Sequence, residues 1–374
     1  MRIALLTYST RPRGGVVHTL ALAEALAAAG QDVTVWTLGR GGDGGFFRPV
    51  DPAVRLRVVP FPDGEQSEGV GARILRSIAV LRDAFTPGDY DIVHAQDCIS
   101  ANAAGRCLRT VHHLDHFTTQ ELAACHERAI TEPFGIICVS HAVAGEIATG
   151  WGITATVIPN GVDAGRFALA AGPGAAQRAA RRHWRERFGR YVLAVGGIEP
   201  RKGSLDLLDA YALLRSSAPD VRLVIAGGET LFDYRDYRAA WDARSAALFG
   251  SAPGCAPDAA PAVLGPVPHD ALPSLVAAAA AFCFPSVREG FGLAAMEALA
   301  AGVPVVTRSL PVLREVFGPA ARFAADPAGF ACELCAALAS PAELRTAGRA
   351  LAARYTWRAA AAAHLAVYQR ALGR

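Results

Sequence analysis

The sequence predicts an α/β chain of two domains, each wound around a parallel sheet on both faces, with a cleft between them. Three observations carry that expectation. In both halves short apolar segments of strand length alternate with stretches of helix length, the rhythm of a doubly wound parallel sheet. The rhythm stops after Pro159-Asn160-Gly161 and restarts at Tyr191. At roughly 100–200 residues per domain, the 374 residues suffice for two domains with a core each.

Taken in order, Ile3–Tyr8 reads as the first strand, followed by a Pro/Gly loop and a helix from Val17 to Ala29 that Gly30 ends. Strands follow at Val33–Leu38, Leu56–Val59, Ile92–Ala95, Leu108–His112, Gly135–Ser140 and Thr156–Ile158. Helices are expected at Ala72–Phe85, Thr118–Glu127 and Ala142–Thr149. Residues 1–162 thus form one Rossmann-like domain. Residues 163–187, rich in Ala, Gly and Arg and without a clean strand, read as an interdomain connection. The second Rossmann-like domain, 188–355, carries strands Tyr191–Gly196, Val221–Ala226, Ala262–Leu264, Ala281–Phe284 and Val305–Thr307, with helices after most of them. Residues 356–374 read as a terminal helix.

Composition excludes other classes. The chain is 52% apolar and 19% charged, which rules out disorder. The longest apolar run, Leu275 to Pro285, is about half of the ~18–20 residues that a membrane span needs. The segment Met1 to Tyr8 is too short for a signal peptide's apolar region, so a cytoplasmic protein is expected. Cys98, Cys107, Cys138 and Cys283 sit singly in apolar segments, as buried thiols do. Cys332 and Cys335 lie in a helical pattern with no second pair or nearby His, which argues against zinc or redox chemistry.

Charge is unevenly placed. Residues 1–162 hold 13 basic and 16 acidic residues, and residues 163–374 hold 24 and 18, so an anionic ligand belongs more naturally to the second half. Among the 37 cations, 36 are Arg, and Lys202 is the only lysine. A solitary lysine in such a chain invites a specific explanation.

Ligands of open α/β sheets bind beyond the carboxyl ends of the strands, so the loops there hold the candidate residues. Gly14-Gly15 precedes the first helix and is either a tight turn or a loop admitting a ligand to backbone amides. Arg201-Lys202-Gly203 precedes the helix opened by Ser204, and its two cations make a cradle suited to a diphosphate. In Glu289-Gly290-Phe291-Gly292-Leu293, the amides of Phe291, Gly292 and Leu293 would face an anion at a helix start. Glu289 and Glu297 flank them, and carboxylates accept bonds from vicinal hydroxyls, which together describe a sugar–diphosphate–ribose ligand. After another strand come His112, His113, Asp115 and His116, with His94 and Asp97 at the end of the preceding one. A zinc site is conceivable. A single His acting as a polar contact to a reacting group is the preferred reading. The stretch Arg181 to Arg187 reads as a solvated linker helix in preference to a membrane contact.

These residues resemble the retaining GT-B glycosyltransferases of family 4. The likeness rests on Gly14-Gly15, Val111-His112, Pro159-Asn160-Gly161-Val162-Asp163, Arg201-Lys202-Gly203, Pro285-Ser286, the Glu289 to Glu297 block as an E-x7-E element, Ala301-Gly302-Val303-Pro304, and Tyr355-Thr356-Trp357. The resemblance implies transfer of a sugar from a nucleotide-sugar to an acceptor hydroxyl with retention and without a metal or other cofactor. It implies a donor held by the C-terminal domain: Lys202 with Arg201 on the diphosphate, the amides of Phe291 to Leu293 assisting, Gly290 among the donor-binding residues, Glu297 on the ribose and Glu289 on the transferred sugar. His112 would approach the donor sugar and diphosphate from the other domain, Gly15 would leave room for phosphates and acceptor with Gly14 also on the donor side, and the terminal helix would cross back to the first domain. Many of the family have Arg where this chain has Gly197; Arg308 is a candidate to make up the missing cation.

The acidic first half favours a small molecule or glycan over a lipid as acceptor, and no nucleic-acid partner is expected. Two other readings keep the fold: a nucleotide-sugar epimerase or phosphorylase-like enzyme, and a non-catalytic nucleotide-sugar binder.

Overall fold

The computed structural model describes residues 1–62, 68–114, 119–228, 234–250 and 259–373. Apolar runs buried on both faces become central strands of parallel sheets, because helices must cover both sides of such a sheet. In the first half, β1 (Arg2–Leu6), β2 (Asp32–Arg40), β3 (Val54–Phe61), β4 (Ile92–Ala95), β5 (Leu108–Val111), β6 (Gly135–Cys138) and β7 (Thr156–Val157) pair in the order β3-β2-β1-β4-β5-β6-β7. Between them run α1 (Gly14–Ala28), α2 (Val70–Ala84), α3 (Cys98–Ala104), α4 (Gln120–Thr131) and α5 (His141–Trp151).

In the second half, α6 (Ala164–Ala171) and α7 (Ala175–Phe188) lead into β8 (Arg190–Val195), α8 (Ser204–Ser217), β9 (Val221–Ala226), α9 (Arg235–Phe249) and β10 (Ala262–Val263). Then come α10 (Leu272–Ala278), β11 (Ala281–Phe284), α11 (Leu293–Ala300), β12 (Val305–Arg308), α12 (Pro311–Phe317), β13 (Arg322–Ala324), α13 (Pro327–Ala339) and α14 (Ala342–Ala352). The strand order is β10-β9-β8-β11-β12-β13. Pairings in both sheets are parallel. The last helix, α15 (Trp357–Ala371), is capped by Thr356, whose hydroxyl accepts from Ala359 N at 3.1 Å.

The chain divides into two units, Met1–Gly161 with Tyr355–Arg374, and Val162–Arg354. In the first, Ile3, Leu5, Leu20 and Val35 share a core with Ala361 and Tyr368 of α15. In the second, Val192, Leu208, Tyr211, Leu223 and Phe330 form the core between β8, β9, α8 and α13.

Residues 163–187, expected as a connection, are two helices of the second unit. Phe167 is fully buried, Trp184 Nε1 donates to Ser274 Oγ on α10 at 2.9 Å, and Phe188 packs edge-on against Tyr191. The scattered apolar residues of an Arg-rich segment serve as anchors, which is why composition alone suggested a linker. Among the described residues, no helix is long and apolar enough to cross a membrane, and seven cysteines are free.

Candidate functional site

A doubly wound sheet opens a crevice where the strand order reverses. In the second unit that switch point lies between β8 and β11. The loop after β8 carries Glu199, Arg201 and Lys202, and the loop after β11 carries Pro285 to Gly292. The topology therefore juxtaposes the sequence's two strongest candidate segments, 87 residues apart. Lys202 Nζ donates to Glu289 Oε1 at 2.6 Å, Arg201 Nη1 to the same oxygen at 3.0 Å, and Arg201 Nη2 to Glu199 Oε1 at 3.2 Å. Two cations and two carboxylates thus balance in a partly buried cluster. Burial draws the Lys202 ammonium down from its ordinary value, Arg201 adds to that, and Glu289 opposes it. The ammonium also sits 5.1 Å from the centre of the Phe284 ring.

Backbone bonds fix the cradle. Val287 N donates to Arg201 O at 2.8 Å, tying the two loops together. Gly203 turns at φ +62°, and a side chain there would strike Pro285 O. Gly292, at φ +91°, caps α11, and a β-carbon there would come within 2.9 Å of the Phe317 ring. The first amides of α11, starting at Leu293, are left without helical acceptors and favour an anion. Gly290 and Phe291 are buried beneath them.

Arg308 does not supply the missing cation. Its Nε donates to Pro285 O and its Nη1 to Ala325 O, both at 2.8 Å, and its Nη2 to Asp206. All three guanidinium nitrogens are used in bracing the loop after β11 against the first turn of α8.

Glu297, in the second turn of α11, makes no hydrogen bond or ion pair among the described residues. Burial pushes its carboxyl up to about 7, with Arg166 opposing and Asp163 reinforcing the rise. A raised carboxyl binds its proton more tightly in the folded chain, so stability is fullest below pH 4.5 and falls as pH rises to about 7. Glu297→Gln removes that loss. We expect the variant's gain in thermal stability over the wild type to grow across this interval to at most about 3 kcal/mol and then level off. A gain that does not change with pH would contradict the assignment.

In the first unit, Gly14 and Gly15 lie inside α1, in its first turn, and not in a loop before it. Their amides are among the free donors of a helix start. A β-carbon on Gly15 would lie 3.5 Å from His112, whereas nothing borders Gly14 within 4 Å. The structure thus brings Gly15 and His112 together. The enclosed His112 Nε2 has no hydrogen-bond partner among the described residues. Burial lowers this imidazole to about 3, with His113 and Arg109 adding to the effect, so it is neutral at pH 7.

His112 belongs to a cluster the sequence did not reveal. The His18 ring lies 4.7 Å from it and 6.1 Å from His364, and the His364 ring is 5.6 Å from His94. His18 Nδ1 bonds Asn160 Oδ1 at 2.9 Å; His94 bonds Tyr368 OH at 2.7 Å and Thr110 Oγ1 at 2.8 Å. Asp97 caps α3 through Ser100 and accepts from Tyr8 N at 3.0 Å, so it is structural. Asp115 and His116 lie outside the described residues. Among the described residues, no group of three His, Cys, Asp or Glu is disposed to hold a metal. Glu199 and His18 were not singled out beforehand; the pairing of Glu199 two residues before Arg201 was the one local hint.

Comparison with known proteins shows the family and the fold. Residues 180–339 match the family Glycosyl transferases group 1, and residues 12–166 match Glycosyltransferase Family 4. The chain is 30% identical to the phosphatidyl-myo-inositol mannosyltransferase of Mycolicibacterium smegmatis, covering 100% of this chain and 95% of that protein. Its fold matches sucrose-phosphate synthase from Thermosynechococcus elongatus at a TM-score of 0.79 and 20% identity, over 100% and 99% of the two chains. It also matches Anabaena HepE in complex with UDP and glucose at 0.73 and 18% identity, over 98% and 99%. These matches do not favour an epimerase, a phosphorylase-like enzyme or a non-catalytic binder. The chain has the GT-B fold and belongs to the family 4 glycosyltransferases.

Proposed function

We propose that this glycosyltransferase takes a nucleoside-diphosphate sugar as donor, binds its diphosphate at Arg201, Lys202 and the first amides of α11, and transfers the sugar with retention and without a metal. The observation that carries the reading is the Lys202–Glu289 contact of 2.6 Å at the switch point. In the free protein each cation is held by a carboxylate. An entering diphosphate takes over Lys202 and Arg201, and Glu289 is released to accept bonds from the sugar's hydroxyls. Glu297, itself unpartnered, accepts from the ribose.

When the anomeric C–O bond breaks, negative charge grows on the departing diphosphate. Once the bound diphosphate has drawn Lys202 from Glu289, the ammonium and the helix amides face that charge, so they stabilise the transition state with no further reorganisation. The acceptor oxygen attacks on the face the leaving group vacates, and a diphosphate oxygen takes the acceptor's proton. No carboxylate nucleophile is required. His112, a neutral imidazole beside Gly15, is the first unit's own candidate for a polar contact to a substrate. UDP in the HepE complex makes uracil the first base to try.

The test is a transfer assay with UDP-, GDP-, ADP- and dTDP-sugars in EDTA, offering a soluble sugar and phosphatidylinositol vesicles as acceptors. Turnover of one donor undiminished by EDTA is expected. Activity that appears only on adding a divalent ion would overturn the metal-free reading. The acidic first half points to the soluble acceptor, whereas the mannosyltransferase relative's name points to the lipid.

A further inference from the structure

A second cationic feature of the second unit lies away from this site. Ala279 precedes β11 and Gly302 precedes β12, so both mark the amino edge of the sheet, opposite the cradle. Here Arg181 and Arg185 of α7 and Arg345 and Arg349 of α14 line a depression of about 190 Å³. At about 30 Å³ per water, it has room for about six waters, or a phosphate group with part of its shell.

Each helix places its two arginines at i and i+4, where like charges are neighbours and destabilise by about 0.2–0.5 kcal/mol a pair. None of the four has an ion-pair partner among the described residues. What faces them is backbone. Arg181 Nη1 donates to Ala170 O, and to Gly172 O at 3.0 Å. Arg185 Nε donates to Ala278 O at 3.3 Å, and the Arg349 guanidinium lies against Gly302. The carboxyl ends of α6, α10 and α11 converge on the arginines. Arg185 and Arg349 also lie in the last turns of their own helices, α7 and α14, so five such ends, each with roughly half a negative charge at most, set about −2.5 in all against four positive charges. Helix ends therefore explain part of the cluster and leave about +1.5 uncompensated.

We propose that this depression is a phosphate-binding site distinct from the donor cradle, taking a dianionic phosphate group as the free ion or as a phosphomonoester. Guanidinium forks match phosphate oxygens in pairs, and two helices that line one depression with four of them can hold one group. The inference does not depend on the reaction proposed above.

Calorimetry of the full chain with inorganic phosphate tests it, using Arg345→Gln/Arg349→Gln, both exposed positions, with Lys202→Ala as the control for the cradle. We expect one phosphate site that the double variant weakens at least about tenfold and Lys202→Ala leaves in place. Binding unchanged in the double variant, binding lost in Lys202→Ala alone, or no binding at millimolar phosphate each overturns the proposal. Flotation with phosphatidic acid vesicles separates the sources. Retention that the double variant loses assigns a lipid phosphate; phosphate binding without retention assigns a soluble one.

Discussion

Lys202→Ala is expected to lower kcat/KM for sugar transfer by about 10²- to 10³-fold, the scale of losing one preorganised contact to transition-state charge. The fall should appear in kcat, because charge on the diphosphate is greatest as the anomeric bond breaks. The fold should survive. Arg201 remains 3.0 Å from Glu289, so that carboxylate keeps a partner, and an unchanged unfolding temperature would confirm it. Lys202→Arg should recover only part of the rate, since a planar fork cannot occupy the position of a compact ammonium beside the Phe284 ring. Near-normal turnover in Lys202→Ala would remove the lysine from the mechanism.

Glu289→Ala separates the two duties of the cluster. Transfer should fall by about 10²-fold, because the hydroxyls of the sugar lose a charged acceptor. Binding of the free nucleoside diphosphate should hold or tighten several-fold, because Arg201 and Lys202 no longer have to leave a carboxylate. Calorimetry with the nucleoside diphosphate, set beside single-turnover transfer, reads both effects. A variant that loses nucleotide affinity in proportion to rate would show that Glu289 only props up the cradle.

The fold was legible because its signals are local. The runs at residues 92–95 and 221–226 are apolar but for His94 and Arg222, the run at 281–284 is apolar throughout, and all three are strands with the expected bounds. Strand β13 was missed, since Arg322-Phe323-Ala324 is three residues long and begins with a charge. The Gly203 and Gly292 turns were legible in kind, because glycine before a helix start marks a close approach. Partnerships were not. Lys202 and Glu289 are brought together by the strand order, and Arg308 is drawn to Asp206 and Pro285 by the same folding. His18 and His364 sit on helices at opposite ends of the chain, and no spacing rule links them to His112. Sequence marked the loops that bear chemistry; the sheet decided which residues meet.

Tyr368 has a further consequence for how the polypeptide is made. It is fully enclosed among residues of the first unit, yet it emerges from the ribosome only after the whole of Val162–Arg354. At about 5–20 residues per second, that interval is roughly 10 to 40 s, during which the early segment waits on the nascent chain with an apolar groove uncovered. The later-made unit is continuous in sequence and can mature first. Biogenesis therefore runs inside out, and the oldest part of the polypeptide is the last to close.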